Sequence, residues 1–431
     1  MKLEAAVRDP APPPAARSLD AGIWLRIGLL SFGGPAGQIA LMQRMLVDER
    51  RWIDPERFLA ALNFCMLLPG PEAQQLAAFI GWHRAGPRGA LVAGTLFVLP
   101  GALVMLALSA AYVAWGRLPL VEAAFLGIKC AVVAIVVEAL IRIARRALVF
   151  RGAVAVAIAA FLATFVVSVP FPLVVLSALA VGFVAARGEP APKPPASAPR
   201  DRSHLARGAA AALAWLVPTA LLVHMLGSAH VLSRVATFYG ELAFATFGGA
   251  YAVLAYVAER AVADYGWLDA ATMADGLGLA ETTPGPLILV LQFVAYVAGH
   301  REGGPLAAVA ASAVALWVLF VPSFMWIFLG APYVDRLNAN PRLRGALRCV
   351  TAAVVGVVAS LSVWFVFHVA FARVGRLEGQ GISMPWPELS SFEPRTILPL
   401  ALACVILLGL KRGIAPTLAV AALAGLAVAR G

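Results

Sequence analysis

The chain has 431 residues, 61% of them hydrophobic and 13% charged, with a mean hydropathy of +0.85, whereas an ordinary soluble domain carries about 25% charged residues. That composition excludes a soluble globular protein. The net charge of +11 does not point to nucleic acid either, because the arginines fall between apolar runs rather than along one soluble face.

In chain order, residues 1–20 hold Pro10, Pro12, Pro13 and Pro14 and lack an apolar signal-peptide core, so a mobile cytoplasmic tail is expected. Apolar stretches follow at 21–43, 58–82, 89–115, 119–141, 152–169, 171–187, 208–230, 236–258, 272–299, 305–330, 346–369, 395–411 and 413–429. Several of them exceed the roughly 20 residues that span a bilayer as helix, so the expected fold is an all-α polytopic membrane protein with about 12–13 transmembrane helices. Arg142, Arg145, Arg146 and Arg151 stand together without an acid, which marks a cytoplasmic loop. Residues 188–207 are rich in proline and arginine and read as a cytoplasmic linker. Cys65, Cys130, Cys349 and Cys404 lie in apolar segments without metal-ligand spacing and read as packing residues.

Residues 31–71 laid over 246–286 at a constant shift of 215 give eleven identities in 41 positions. Phe32-Gly33-Gly34 meets Phe247-Gly248-Gly249, Trp52 and Asp54 meet Trp267 and Asp269, and Pro69-Gly70-Pro71 meets Pro284-Gly285-Pro286. The chain is therefore an internal duplication, with one repeat over 21–187 and the second over 208–431. Seven candidate segments precede the second repeat's first helix, and that odd number predicts inverted halves. Were 58–82 to dip in and return, the count would become even and the halves parallel.

Each Pro-Gly-Pro removes amide donors and interrupts a helix at membrane depth, which requires protein or water around the freed backbone. A helix restarting at Pro71 would aim the amides of Glu72, Ala73 and Gln74 at the break, an anion site in outline; the competing reading is a kink closed by neighbouring helices. Gly33, Gly34, Gly248 and Gly249, like Gly70 and Gly285, permit close approach either to a ligand or to another helix. Ionisable groups in apolar segments cost roughly 2.5–3.5 kcal/mol each and are functional candidates. Lys129 lies midway in its segment, with Arg348 as counterpart, and its partner is expected to be an acid or the substrate. On its own helix only Glu122 has the spacing to share a face. Arg26 and Glu241 occupy equivalent positions and read as an ion pair across the repeats or as two separate helix-end charges. Glu72 and Glu281 flank the breaks as caps or as proton-coupling groups, with Gln74, Gln75 and Gln292 nearby to orient an anion. No phosphate-binding loop, nucleophile triad, metal cluster or cofactor motif is legible, so neither enzyme, metal nor cofactor is expected.

Ser31-Phe-Gly-Gly-Pro35, Arg51-Trp-Ile-Asp54, Leu67-Leu-Pro-Gly-Pro-Glu-Ala-Gln-Gln-Leu76, Phe97-Val-Leu-Pro-Gly101 and Ala280-Glu-Thr-Thr-Pro-Gly-Pro286 resemble the signatures of the long, two-domain chromate transporter family. The resemblance covers nearly the whole chain outside tail and linker. It implies a secondary transporter in the bacterial inner membrane that exports chromate and confers resistance, with sulfate or another tetrahedral oxyanion as the alternative substrate. The second half has Ala250 where the first has Pro35, so the two Phe-Gly-Gly sites need not be equivalent. A membrane scaffold or sensor is the reading from another class, and duplicated breaks with paired intramembrane charges weigh against it. The oligomeric state stays open, a homo-oligomer included.

Overall fold

The computed structural model describes residues 19–32, 34–188, 203–247, 250–379 and 382–429. Most of the N-terminal tail and of the linker, together with Gly33, Gly248 and Gly249, lies outside these. Helices dominate: α1 (Ala21–Leu30), α2 (Gly34–Met42, continued as π-helix by Gln43–Glu49), α3 (Pro55–Leu67), α4 (Glu72–Trp115), α5 (Pro119–Ala147), α6 (Ala153–Phe165), α7 (Phe171–Ala185) and α8 (Ser203–Leu226). The second half follows with α9 (Val231–Ala245), α10 (Ala250–Glu259, π-helical over Arg260–Asp264), α11 (Ala270–Thr282), α12 (Val290–Gly330), α13 (Val334–Ala339) and α14 (Pro341–Ala370). A small antiparallel hairpin, β1 (Val374–Gly379) and β2 (Ile382–Pro387), precedes α15 (Ile397–Cys404) and α16 (Ile414–Val428). Among the described residues, five helical stretches are long and apolar enough to cross a membrane: Glu72–Trp115, Pro119–Ala147, Ser203–Leu226, Leu287–Tyr333 and Pro341–Ala370. The chain is a multi-pass membrane protein.

Four apolar stretches that read as single crossings, 21–43, 58–82, 236–258 and 272–299, are each two shorter helices joined at a break. The physical reason is local: Pro69-Gly70-Pro71 and Pro284-Gly285-Pro286 lack the amides for a continuous ladder, and Gly70 and Gly285 take φ of +125° and +93°. Polar ties close these pairs on themselves. Asp20 caps α1 through the Ile23 amide and pairs with Arg50 Nη1 at 3.0 Å, beyond the far end of the α2 segment. Asp54 caps α3, and just before it Trp52 lies under the Arg84 guanidinium at 4.3 Å, so α3 and residues 72–84 return to the level where they began. The second half repeats the arrangement: Asp269 caps α11, and Arg301 beyond the first arm of α12 donates to the Trp267 carbonyl at 3.0 Å and lies 3.7 Å from Asp269. Gly86 and Gly304, both at positive φ, then turn the chain into the long second arms of α4 and α12.

The repeats exchange their terminal helices. Helices α6 and α7 pack on α14 of the other half, while α15 and α16 pack on α5. The crossings are close enough to demand glycine: a Cβ at Gly127 would lie 1.7 Å from the Ala421 carbonyl oxygen, and one at Gly356 would lie 2.0 Å from that of Ala157. In lipid, where apolar attraction between helices vanishes, such small-residue contacts carry much of the association. Replacing Gly127 by Leu is expected to destabilise the protein by at least the ~1–3 kcal/mol typical of overpacking and to lower its membrane abundance. Gly409→Ala, with nothing within 4 Å of the new methyl, should leave abundance unchanged; thermal unfolding of both variants in detergent checks this.

Candidate functional site

All four breaks meet in one place, and the polar backbone they expose is paired across the duplication. The Gly70 amide donates to the Thr246 carbonyl and the Gly285 amide to the Ser31 carbonyl, both at 2.8 Å. Ser31 and Thr246 are equivalent positions, as are Gly70 and Gly285, so the two bonds are one interaction made twice about a local two-fold. The hydroxyls of Ser31 and Thr246 turn back onto their own helices, to Ile27 at 2.7 Å and Leu242 at 2.5 Å. Gln38, on α2, donates to the Gly285 carbonyl at 2.6 Å.

The glutamines work in the same region. Gln75 donates to the Pro69 carbonyl at 2.7 Å, Gln74 to Phe320 at 3.4 Å and Gln292 to Ala102 at 3.0 Å. Gln74 thus reaches from the first arm of α4 to the second arm of α12, and Gln292 from the first arm of α12 to the second arm of α4. Their amide nitrogens hold backbone carbonyls, as buried polar groups in a dry environment must, while the Oε1 atoms of Gln38, Gln74, Gln75 and Gln292 remain buried without a partner.

Between the breaks lies a cavity of about 30 Å³ lined by Gly70, Pro71, Glu72, Ala73, Pro286 and Leu287 among others. Glu72 and Ala73 open the first arm of α4 here, with Pro71 before them as N-cap, so the first turn's amides, which lack intrahelical acceptors, face this space. Glu281 sits just before the second break, buried, and accepts a 2.6 Å bond from the Tyr251 hydroxyl. Gly34 starts α2 at φ +69° with open space around it. Arg26 and Glu241 are both exposed, on α1 and α9; no Arg26–Glu241 ion pair is present among the described residues.

A second feature lies farther out. A cavity of about 800 Å³ opens between the end of α4, the start of α5, the start of α11 and the bend of α12, with Arg117, Lys129, Arg301 and Arg395 facing Glu122, Asp269 and Asp275. Lys129 on α5 lies 3.6 Å from Asp275 Oδ1 on α11, and Tyr112 on α4 donates to Asp275 Oδ2 at 2.7 Å. The acid that faces Lys129 therefore comes from the other repeat, not from its own helix; Glu122 lines the same cavity higher up. From Asp275, α11 runs seven residues to Thr282, about 10 Å at 1.5 Å per residue, before the break begins. Arg348, the counterpart of Lys129, is exposed on α14, and Asp275 has Ala60 as its counterpart, whose carbonyl accepts from Asn338 Nδ2 at 2.9 Å. The vestibule pair spans the two repeats and is not duplicated, since Ala60 stands where a second acid would be.

Sequence reasoning passed over Asp275, Tyr112, Gln38 and Tyr251. Asp275 carried a usable signal, since it is an acid inside an otherwise apolar stretch; the search for a partner of Lys129 stayed on one helix. The other three are ordinary polar residues until the fold brings them to an acid or a carbonyl.

Paired breaks at the meeting of two repeats, held in a bundle of apolar helices and approached by a charged vestibule, define a two-repeat membrane transporter. The chromate transporter family model matches residues 21–183 and 233–429, one match on each repeat, and the chain belongs to that family. It is 36% identical over 378 residues to a chromate transport protein of Pseudomonas aeruginosa, covering 83% of each chain. It is 29% identical over 343 residues to a chromate transport protein of Cupriavidus metallidurans, covering 78% of this chain and 79% of that one. A probable chromate transport protein of Synechococcus elongatus is 28% identical over 336 residues, 78% of this chain and 81% of its own. No solved structure matches significantly.

The break geometry makes a specific demand. A methyl on Gly70 would need φ of +125° and would lie 2.6 Å from Gln75 Nε2, a backbone region closed to L-residues other than glycine. Gly70→Ala is expected to reduce transport at least tenfold per molecule in reconstituted vesicles, whereas Gly34→Ala, with room for its methyl, should keep a larger share of it.

Proposed function

We propose that this protein is a secondary transporter that exports chromate across the bacterial inner membrane and so protects the cytoplasm. The observation that supports the reading is the junction of the four breaks, where the N-terminus of α4 borders a cavity between the repeats, together with the charged vestibule that Lys129 lines. Tetrahedral dianions offer only acceptors, and amides with Lys129 offer only donors. A dianion leaving a negative interior gains roughly 2.3 kcal/mol per charge per 100 mV, about 4.6 kcal/mol in all, so the membrane potential alone suffices to drive efflux.

In this reading the halves are inverted. The return of the four broken segments leaves five single crossings before α9, namely the second arm of α4 and helices α5, α6, α7 and α8, again an odd number. Supporting contacts gather the β-hairpin, the end of α10 and the turn after α6 at one face, through Arg376–Glu259 at 3.1 Å and the Ser383 amide on the Val166 carbonyl at 2.9 Å. The vestibule mouth, with Arg395, belongs to that face. Arg142, Arg145, Arg146 and Arg151, with Lys411 and Arg412, gather at the other, which the basic-loop rule assigns to the cytoplasm. The N-terminus is then cytoplasmic, the vestibule periplasmic, and alternating access is a rocking of the halves about the breaks.

Two measurements check this. In a cysteine-free background, single cysteines placed within 44–57 and within 259–269 should label from opposite sides of the membrane; labelling of both from one side overturns the inversion. Inside-out vesicles should take up chromate when an inside-positive potential is imposed, with sulfate competing weakly. Uptake of sulfate with no effect of chromate would assign the protein to the other oxyanion.

A further inference from the structure

The ion pair at the vestibule floor is incomplete in a way that suits a ligand. Asp275 is 4% exposed, its Oδ2 accepts from Tyr112 at 2.7 Å, and its Oδ1 has no hydrogen-bond partner, because Lys129 Nζ stands off at 3.6 Å. The charge that repays the desolvation of the buried Asp275 carboxylate is a lysine that also faces the vestibule. Here the lysine is 21% exposed on its side chain and faces a water-sized approach, while the acid is sealed behind it.

We propose that Asp275 is a built-in stand-in for the transported oxyanion and the site at which a proton is bound with it. With the vestibule empty, the Asp275 carboxylate neutralises Lys129. An arriving oxyanion takes the ammonium as its own partner, and the carboxylate, left beside an anion in a buried place, takes a proton from a hydronium ion on the side from which the oxyanion came; that ion's O–H bond breaks as Asp275 Oδ1–H forms, and the new bond breaks on the opposite side when the oxyanion departs. Oxyanion and proton therefore bind together and travel in the same direction, so a dianion moves as one net negative charge and the membrane potential drives it half as strongly as it would the bare dianion. The inference rests on the transport reading above.

The groups facing Asp275 are consistent with one proton site. Lys129 and Glu122 face it from α5, Tyr112 from α4, and His300 and Arg301 from α12, with Asp269 on its own helix and Arg395 from the segment before α15. Among the described residues, α14 and α16 contribute no charged side chain to this cavity. Two of the cations lie beside carboxylates of their own, Arg301 by Asp269 and Arg395 by Glu393, while Arg117 lines the cavity from the turn between α4 and α5. Exchange at Lys129 is the step that leaves a carboxylate without a partner.

The test uses the full chain in sealed proteoliposomes with the potential clamped. Radiolabelled sulfate, which stays a dianion over the range studied, is compared with chromate, and proton movement is read by a trapped dye. Downhill chromate flow through the wild type should carry protons in the same direction, close to one per chromate, and oxyanion binding should tighten as pH falls, because protonating Asp275 frees Lys129. In Asp275→Asn, proton co-movement should disappear and the pH dependence of sulfate binding should flatten. Tyr112→Phe, which leaves the carboxylate, should retain co-movement. Wild-type chromate flow without protons, or with protons moving oppositely, overturns the inference even if Asp275→Asn does not fold. Co-movement unchanged in a folded Asp275→Asn overturns it as well. No chromate or sulfate flow in the wild type instead refutes the transport reading.

Discussion

The structure turns on two hydrogen bonds of 2.8 Å, from the Gly70 amide to Thr246 and from the Gly285 amide to Ser31. Inside a membrane, backbone that leaves a helix must be satisfied by protein or water. Here each Pro-Gly-Pro break is satisfied by the break of the other repeat. Each half's broken helices are satisfied at membrane depth by the other, and the two trade terminal helices around the same centre. The glutamines on the first arms extend the rule: Gln74 and Gln292 tie each first arm to the other half's second arm.

That lacing also explains how a rigid centre can serve transport. The bonds join the halves at one point near the breaks, while the long second arms and the exchanged helices diverge from it. A rocking motion about such a point changes the faces much more than the centre. In this structure the approach from one face is an 800 Å³ vestibule, while at the matching place in the other repeat Asn338 closes on the Ala60 carbonyl. The halves share a fold and differ in side chains, so they need not bind or release ions equivalently.

Much of this was legible in the sequence because it depends on local chemistry. Proline has no amide, so two of the four breaks could be placed to the residue, while those after α1 and α9 were not read as breaks; the duplication followed from the constant shift of 215 and the family from the ordered motifs. What escaped depends on distance in sequence. An apolar stretch such as 58–82 looks alike whether it crosses or returns, and only Arg84 stacking on Trp52 reveals the return. The exchange of α6 and α7 for α15 and α16 has no signature beyond small residues. Lys129 was visible as a charge out of place, yet its partner Asp275 lies 146 positions further along the chain, and no rule of helix spacing could join them.

The proposed oxyanion path runs from the Lys129 vestibule to the junction of the breaks. Chromium itself offers the most direct measurement, an anomalous difference map from crystals of the protein grown at saturating chromate. The account predicts a chromium peak along the line from Lys129 to the cavity bounded by Gly70, Glu72 and Leu287. A peak confined to surfaces remote from both, with the vestibule and the junction empty, would contradict it.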